Sequence, residues 1–264
     1  LSARLPAAKP DTEVGRLTTS LNTMLARIEE SFALRVESEN KLRRFVADAS
    51  HELRTPLTAI RGFAELHRQG AVVGEEKVNE LINRIEKESV RMSTLVEDLL
   101  LLARLDQSRQ LEMEPVDLNT IINESVISAK VAGPNHLFEV ALGSDEIFVL
   151  GDSQRIYQVI SNLLANARTH TPVGTKIKVS TNQLDNETMV QVADNGAGLS
   201  LADQKQIFER FYRADPSRVR GSGEGSGLGL SIVDAVMKAH GGYVSVESKI
   251  GEGSTFTLHF RNQE

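Results

Sequence analysis

Cysteine and tryptophan are both absent from this chain of 264 residues. Without cysteine there is no disulfide framework, no thiolate metal site and no cysteine nucleophile, and a reducing compartment is allowed. Nor is there a run of about 18 apolar residues or a basic-then-apolar leader, so nothing in this stretch is expected to span or cross a membrane. Basic residues are dispersed over a chain of formal net charge −6, which leaves no broad cationic face for a nucleic-acid backbone. With no tryptophan for base stacking either, nucleic acid is not an expected partner. Leu1 stands where an initiator methionine would, so the chain reads as a piece of a longer protein, with any membrane anchor lying upstream.

What is present suffices for a core. A hydrophobic share of 40% over this length suits about two domains of ordinary size. Residues 1–12, with Pro6 and Pro10, read as a loosely ordered entry. From Glu13 to about Arg44, Val14, Leu17, Leu21, Met24 or Leu25, and Ile28 recur at threes and fours, predicting a helix. No Gly or Pro breaks it before the next helix, so rotation or sliding upstream can be passed along it.

In that next helix Leu42, Val46, Ala49, Leu53, Leu57 and Ile60 draw one apolar stripe. His51 lies two residues from both Ala49 and Leu53, which turns it about 160–200° away from the stripe and toward solvent. Pro56 has no N–H to offer the carbonyl of Glu52, so the helix is expected to loosen beside the histidine. A proline inside a helix costs about 3 kcal/mol, which a purely structural helix tends to avoid. Gln69–Gly74 is the turn that follows. Beyond it Val78, Leu81, Ile85, Met92, Leu95, Leu99 and Leu102 fit a heptad seam interrupted only by Glu88. Two helices alone bury too little, whereas two copies make a four-helix bundle, so the hairpin predicts a homodimer.

A linker over 109–116 leads into a second domain, 117–264. There 137–142, 147–150, 176–180, 189–193, 243–247 and 254–260 read as strands with helices between several of them, an α/β sandwich with a helix layer on one mixed sheet. Arg155 to Ala167 reads as a helix that buries Ile156, Val159, Ile160, Leu163 and Ala167 and points Asn162 and Asn166 another way. Their spacing suits an Mg²⁺ that keeps waters and is otherwise held by substrate phosphates. Asp194, in Asp194-Asn195-Gly196-Ala197-Gly198 after an apolar strand, only accepts hydrogen bonds when ionised and so suits the amino group of adenine. The same residues also suit a plain turn. Gly223, Gly225, Gly227 and Gly229 alternate ahead of a helix starting near Leu228, which brings backbone amides and a positive helix end to bear on phosphate. No Gly-Lys-Ser/Thr follows, so this is not a Walker A loop.

Taken together these segments resemble the sensor histidine kinases of two-component systems. His51-Glu52-Leu53-Arg54-Thr55-Pro56-Leu57 looks like their H-box, and Asn162-Leu163-Leu164-Ala165-Asn166-Ala167 followed by Thr169-His170-Thr171-Pro172 looks like their N-box. Asp194 to Gly198 resembles the G1 box, Ile207 to Arg213 with Phe208, Phe211 and Arg213 the F-box, and Gly223 to Leu230 the G2 box. Asp11-Thr12-Glu13-Val14-Gly15 resembles the start of the second helix of a HAMP relay module, giving 1–40 as HAMP remnant and connecting helix. The match implies a histidine phosphotransfer and dimerisation domain over 41–108 and an ATP-binding catalytic domain over 117–264. It implies that ATP, with Mg²⁺ on Asn162 and Asn166, donates its γ-phosphoryl to His51, which passes it to an aspartate of a response regulator. Glu52 would orient the ring, Arg54 would aid docking or phosphate charge, and Thr55 would orient water in dephosphorylating the regulator. Thr169 stands where many members have lysine, so Arg168 or His170 is expected to serve the phosphates instead. Localisation follows as the cytoplasmic portion of a membrane protein. An ATPase of the related chaperone, gyrase and mismatch-repair superfamily is one rival, in which the H-box has no purpose. A non-catalytic dimeric relay is another, against which Asn166, Asp194 and the glycine loop argue.

Overall fold

The computed structural model describes residues 12–106, 111–143, 146–184, 186–214 and 226–261. Residues 1–11, including the entry segment and Asp11 of the HAMP-like start, lie outside them, as do Gly223 and Gly225 and residues 107–110 of the expected junction. The chain divides into two compact units at Thr58/Ala59.

Helix α1 is continuous from Glu13 to Arg68. The expected loosening does not interrupt it. Pro56 lies inside α1 and is buried, and Thr55 Oγ1 donates to the carbonyl of His51 at 3.3 Å just before it. Large apolar side chains nevertheless remain open along α1, with Leu42 60%, Val46 55% and Leu57 56% exposed. Helix α2, Glu75–Asp106, follows a turn in which Gly70 and Gly74 take positive φ. Of its expected seam, Leu81, Leu95 and Leu102 are buried, and Glu88 is half-buried beside Arg91 at 3.8 Å.

The C-terminal part is a helix layer on a mixed sheet, as the strand and helix pattern predicts. Strands β2 (Leu137–Ala141), β4 (Lys176–Leu184), β5 (Glu187–Asp194), β6 (Tyr243–Lys249) and β7 (Gly253–Arg261) form one sheet in the order β2-β4-β5-β7-β6. Only β2 runs parallel to its neighbour. Ile177, Val179, Val190, Val192, Phe256, Leu258 and Phe260 are buried with the apolar stripes of α3 (Leu118–Ala132), α4 (Ser153–His170) and α6 (Gly229–Ala239). Each of the first two helices is capped by an aspartate: Asp117 accepts from Asn119 and Thr120 N–H, Asp152 from Arg155 N–H. The C-terminal end of α2 packs on α6. A short helix α5, Leu201–Gln206, follows β5.

Two segments differ from the sequence pattern: 147–150, expected in the one mixed sheet, pairs outside it, and the expected linker contributes a strand. Glu114–Asp117, inside or next to the expected linker, is strand β1 and pairs antiparallel with β3 (Phe148–Gly151), Val116 opposite Val149. Pro115 masks it in a sequence reading because proline demotes a strand. Here the pair is a separate two-stranded ribbon that asks little of the Pro115 nitrogen.

Candidate functional site

On α1 His51, Arg54 and Thr55 are exposed and Glu52 is half-buried. An open imidazole on a helix surface is a nucleophile that a second molecule or domain can reach.

In the C-terminal domain the glycine loops, α4 and the end of β5 close a circuit. Asn162 Nδ2 donates to the carbonyl of Gly229 at 3.3 Å, tying α4 to the first residue of α6. Gly227 then accepts the N–H of Phe211 at 2.9 Å, joining the end of the glycine loop to the aromatic segment. Phe211 holds φ at +61°, a left-handed conformation that side chains other than glycine rarely take. A Cβ on Gly227 would meet the Phe211 backbone at 2.9–3.2 Å, so the two segments are packed directly against each other. Phe208 packs edge-on against Phe256 of β7, with ring centroids 6.4 Å apart. From Phe211 the chain leads to Arg213, whose charge acts on His170 at the end of α4. The protein mass around His170, then that guanidinium, hold its pKa below the ordinary histidine value although its side chain meets solvent.

Asp194 completes the circuit. Its Oδ1 accepts the N–H of Gly196 at 2.8 Å, and the Ser254 N–H also bonds the carboxylate. Desolvation outweighs those two bonds and pushes its pKa up. Gly196 has Thr171 against it, 2.5 Å from where a Cβ would stand, which brings the end of α4 to the same loop. Gly198 backs onto the Lys249 carbonyl. Gly253 holds φ at +106° with its missing Cβ aimed at the Asp194 carbonyl, so no side chain fits there. At the head of α6, Leu228 caps without a side-chain hydrogen bond, and the helix presents its positive end beside Gly227.

Comparison with known proteins places both parts of the chain in described families. A family model described as His Kinase A (phospho-acceptor) domain matches residues 41–108, and one described as Histidine kinase-, DNA gyrase B-, and HSP90-like ATPase matches residues 151–264. The chain belongs to the sensor histidine kinases. It is similar to the Mycobacterium tuberculosis protein named "Probable sensor histidine kinase TcrY", 47% identical over 248 residues that make up 93% of this chain and 51% of that protein. The chain spans about half the length of the curated relatives it matches first. Among solved structures, histidine kinase ThkA in complex with response regulator protein TrrA gives a TM-score of 0.68 at 26% identity, covering 89% of this chain and 66% of that one. Full-length ShkA in complex with AMPPNP gives 0.61 at 27% identity, covering 84% and 46%.

In this chain the two candidates for the missing N-box lysine part company. Arg168 turns to the end of α3, where its guanidinium donates to the Ala132 carbonyl at 3.4 Å and its stem lies over Gly133. His170 faces Arg213 instead. The sequence pattern does not single out Thr171, inside the N-box-like stretch, or Ser254, at the start of an expected strand. Their part in the site depends on which strands and loops meet. Among the described residues no helix is long and apolar enough to cross a membrane.

Proposed function

We propose that this chain is the cytoplasmic portion of a membrane-anchored sensor histidine kinase that phosphorylates itself on His51 with ATP and passes the phosphoryl group to an aspartate of a response regulator. The observation that carries the reading is the pairing, in one chain, of an open His51 in its H-box with an adenine-ready Asp194 circuit. Relatives described as bound to AMPPNP and to a response regulator support the same donor and the same acceptor.

Asp194 takes the adenine amino group, and the Gly227–Gly229 turn with the head of α6 receives the phosphates. Asn162 has its amide N–H committed to Gly229, which leaves Oδ1 as its outward group, and Asn166 stands one turn further along α4. Two neutral amide oxygens fit Mg²⁺, whose contribution when bound is to neutralise phosphate charge. A ring nitrogen of neutral His51 attacks the γ-phosphorus. The N–P bond forms as the bond to the β,γ-bridging oxygen breaks, and ADP leaves with that electron pair. Glu52 holds the proton on the other ring nitrogen and offsets the charge the ring acquires. Side chains at i and i+1 do not normally face each other on a helix, so this contact belongs to the transition state. In the second step the His51 N–P bond breaks as a regulator carboxylate oxygen takes the phosphoryl group, and Arg54 aids docking. Thr55 orients water for the later hydrolysis of that acyl phosphate.

The open Leu42, Val46 and Leu57 on α1 support a homodimer, since a second copy covers them. Incubation with γ-labelled ATP and Mg²⁺ is expected to label the protein with an acid-labile, base-stable phosphate. An acid-stable label, or release of free phosphate with no label, contradicts the reading.

Two further outcomes follow. Thr55→Ala is expected to slow regulator dephosphorylation by about tenfold or more while autophosphorylation persists; an unchanged dephosphorylation rate removes Thr55 from that role. Arg168→Ala is expected to cost roughly 1 kcal/mol of domain stability with ATP affinity within about twofold of the parent, whereas His170→Ala weakens ATP binding by about three- to tenfold. Titration calorimetry with parallel thermal melts checks both, and the opposite pattern reassigns the phosphate contact to Arg168.

A further inference from the structure

The phosphotransfer chemistry makes no use of His240, yet the residue joins the two helices that carry the nucleotide site. It follows the last residue of α6. Its Nε2 accepts the backbone N–H of Asp152 at 3.0 Å, and its Nδ1 meets the carbonyl of Val236 at 2.8 Å. A ring that accepts through Nε2 carries its proton on Nδ1, and the Val236 carbonyl holds it there. Asp152 is the cap of α4, so the bond runs from the tail of one helix to the head of the other. The chain is shaped for it. At Gly151 a Cβ would lie 2.7 Å from Ile156 Cδ1 and 2.9 Å from the imidazole, so only a glycine brings this backbone against the ring. Some distance along the same pair, Asn162 holds Gly229. Helices α4 and α6 are thus fastened at two points, one inside the nucleotide site and one away from it.

We propose that neutral His240 is a positioning residue that sets α4 against α6, and that its protonation releases this fastening and weakens nucleotide binding. The proposal rests on the nucleotide-binding reading above. Protonation converts Nε2 from acceptor to donor, so two N–H groups face each other and the Asp152 amide loses its partner. Burial pushes the His240 pKa below the ordinary 6.5, opposed by the Val236 hydrogen bond and the Asp152 carboxylate. Among the described residues, that carboxylate is the charge acting on the ring. Arg104 of α2, Glu112, Glu114 of β1 and Arg155 of α4 border the cavity that Asp152 also lines, and Lys238 of α6 is paired with Asp234. The sign follows: a depressed histidine pKa favours the neutral form, so the fastening is intact at pH 6.5 and above and is lost as the pH falls through the folded-state pKa, which lies below 6.5.

The test is calorimetric titration of the full chain with AMPPNP and Mg²⁺ at pH 7.5 and pH 5.5, for the parent, His240→Gln and His240→Leu, with circular dichroism to confirm that each is folded. Glutamine keeps an acceptor but does not titrate. From pH 7.5 to pH 5.5 the parent is expected to weaken by about three- to tenfold more than His240→Gln, the loss of one hydrogen bond. His240→Leu is expected to be weak at both pH values. If the leucine variant does not fold, the parent and glutamine slopes decide alone. Equal pH slopes for parent and His240→Gln overturn this proposal while leaving nucleotide binding intact. A parent that does not bind AMPPNP at pH 7.5 overturns the nucleotide reading, and this proposal with it.

Discussion

His51→Ala is expected to abolish autophosphorylation, with label from γ-labelled ATP falling at least about a hundredfold while nucleotide affinity stays at the parent value. The asymmetry follows from the position of the residue. His51 is an open side chain on α1, in a unit that does not include Asp194, Asn162 or the glycine loops, so its removal takes away the nucleophile and none of the nucleotide contacts. Alanine is also the best helix former, so α1 is not weakened. Retained labelling in this variant, or label mapping to another residue after proteolysis, would refute His51 as the acceptor. A joint loss of labelling and of nucleotide binding would instead point to a structural role.

Asp194→Asn is the second substitution with a large expected effect. Ionised, Asp194 has two oxygens with two lone pairs each, which take the N–H groups of Gly196, at 2.8 Å, and Ser254 and keep acceptor capacity for adenine. The amide has a single acceptor oxygen and an NH₂ that can only donate. It satisfies either Gly196 or the adenine amino group, and the loser faces a donor. Hydrogen bonds to a charged group are worth about 1.5–3 kcal/mol, so ATP affinity is expected to fall by about 10- to 150-fold. Fluorescent-nucleotide displacement measures it. An unchanged affinity for ATP, or a gain of affinity for GTP no greater in the variant than in the parent together with unchanged ATP binding, would take Asp194 out of base recognition.

Much of this kinase was legible before any coordinates. The turn at Gln69–Gly74 falls between α1 and α2 as the pattern predicts. Five of the six expected strand segments form the mixed sheet, whereas 147–150 pairs with β1 outside it. Such features are local: they depend on which faces of one element are apolar, and that is written residue by residue. Pro56 shows the limit even there. A proline inside a helix predicts a disturbance, yet α1 continues through it, because a single missing N–H removes one bond from a ladder that its neighbours keep.

The other differences are tertiary. Strand β1 has only Val116 to bury and carries Pro115, so alone it reads as linker; what makes it a strand is β3 lying alongside. Arg168 and His170 are two residues apart on α4 and so point about 200° away from each other. Sequence offered both as phosphate ligands, but the helix turns one toward α3 and the other toward Arg213. His240 carried no signal at all, being one more residue at a helix end, until α6 and α4 were seen to meet through its ring.

By itself, then, the sequence determined the family, the order of its boxes and the outward histidine, because motif identity and helical periodicity are properties of contiguous residues. The tertiary structure decided that Arg168 is bonded to the end of α3, which glycines are closed against backbone, and where helix α6 is fastened to helix α4. Those outcomes hang on approaches of a few ångströms between segments tens of residues apart, and no local pattern encodes a distance of that kind.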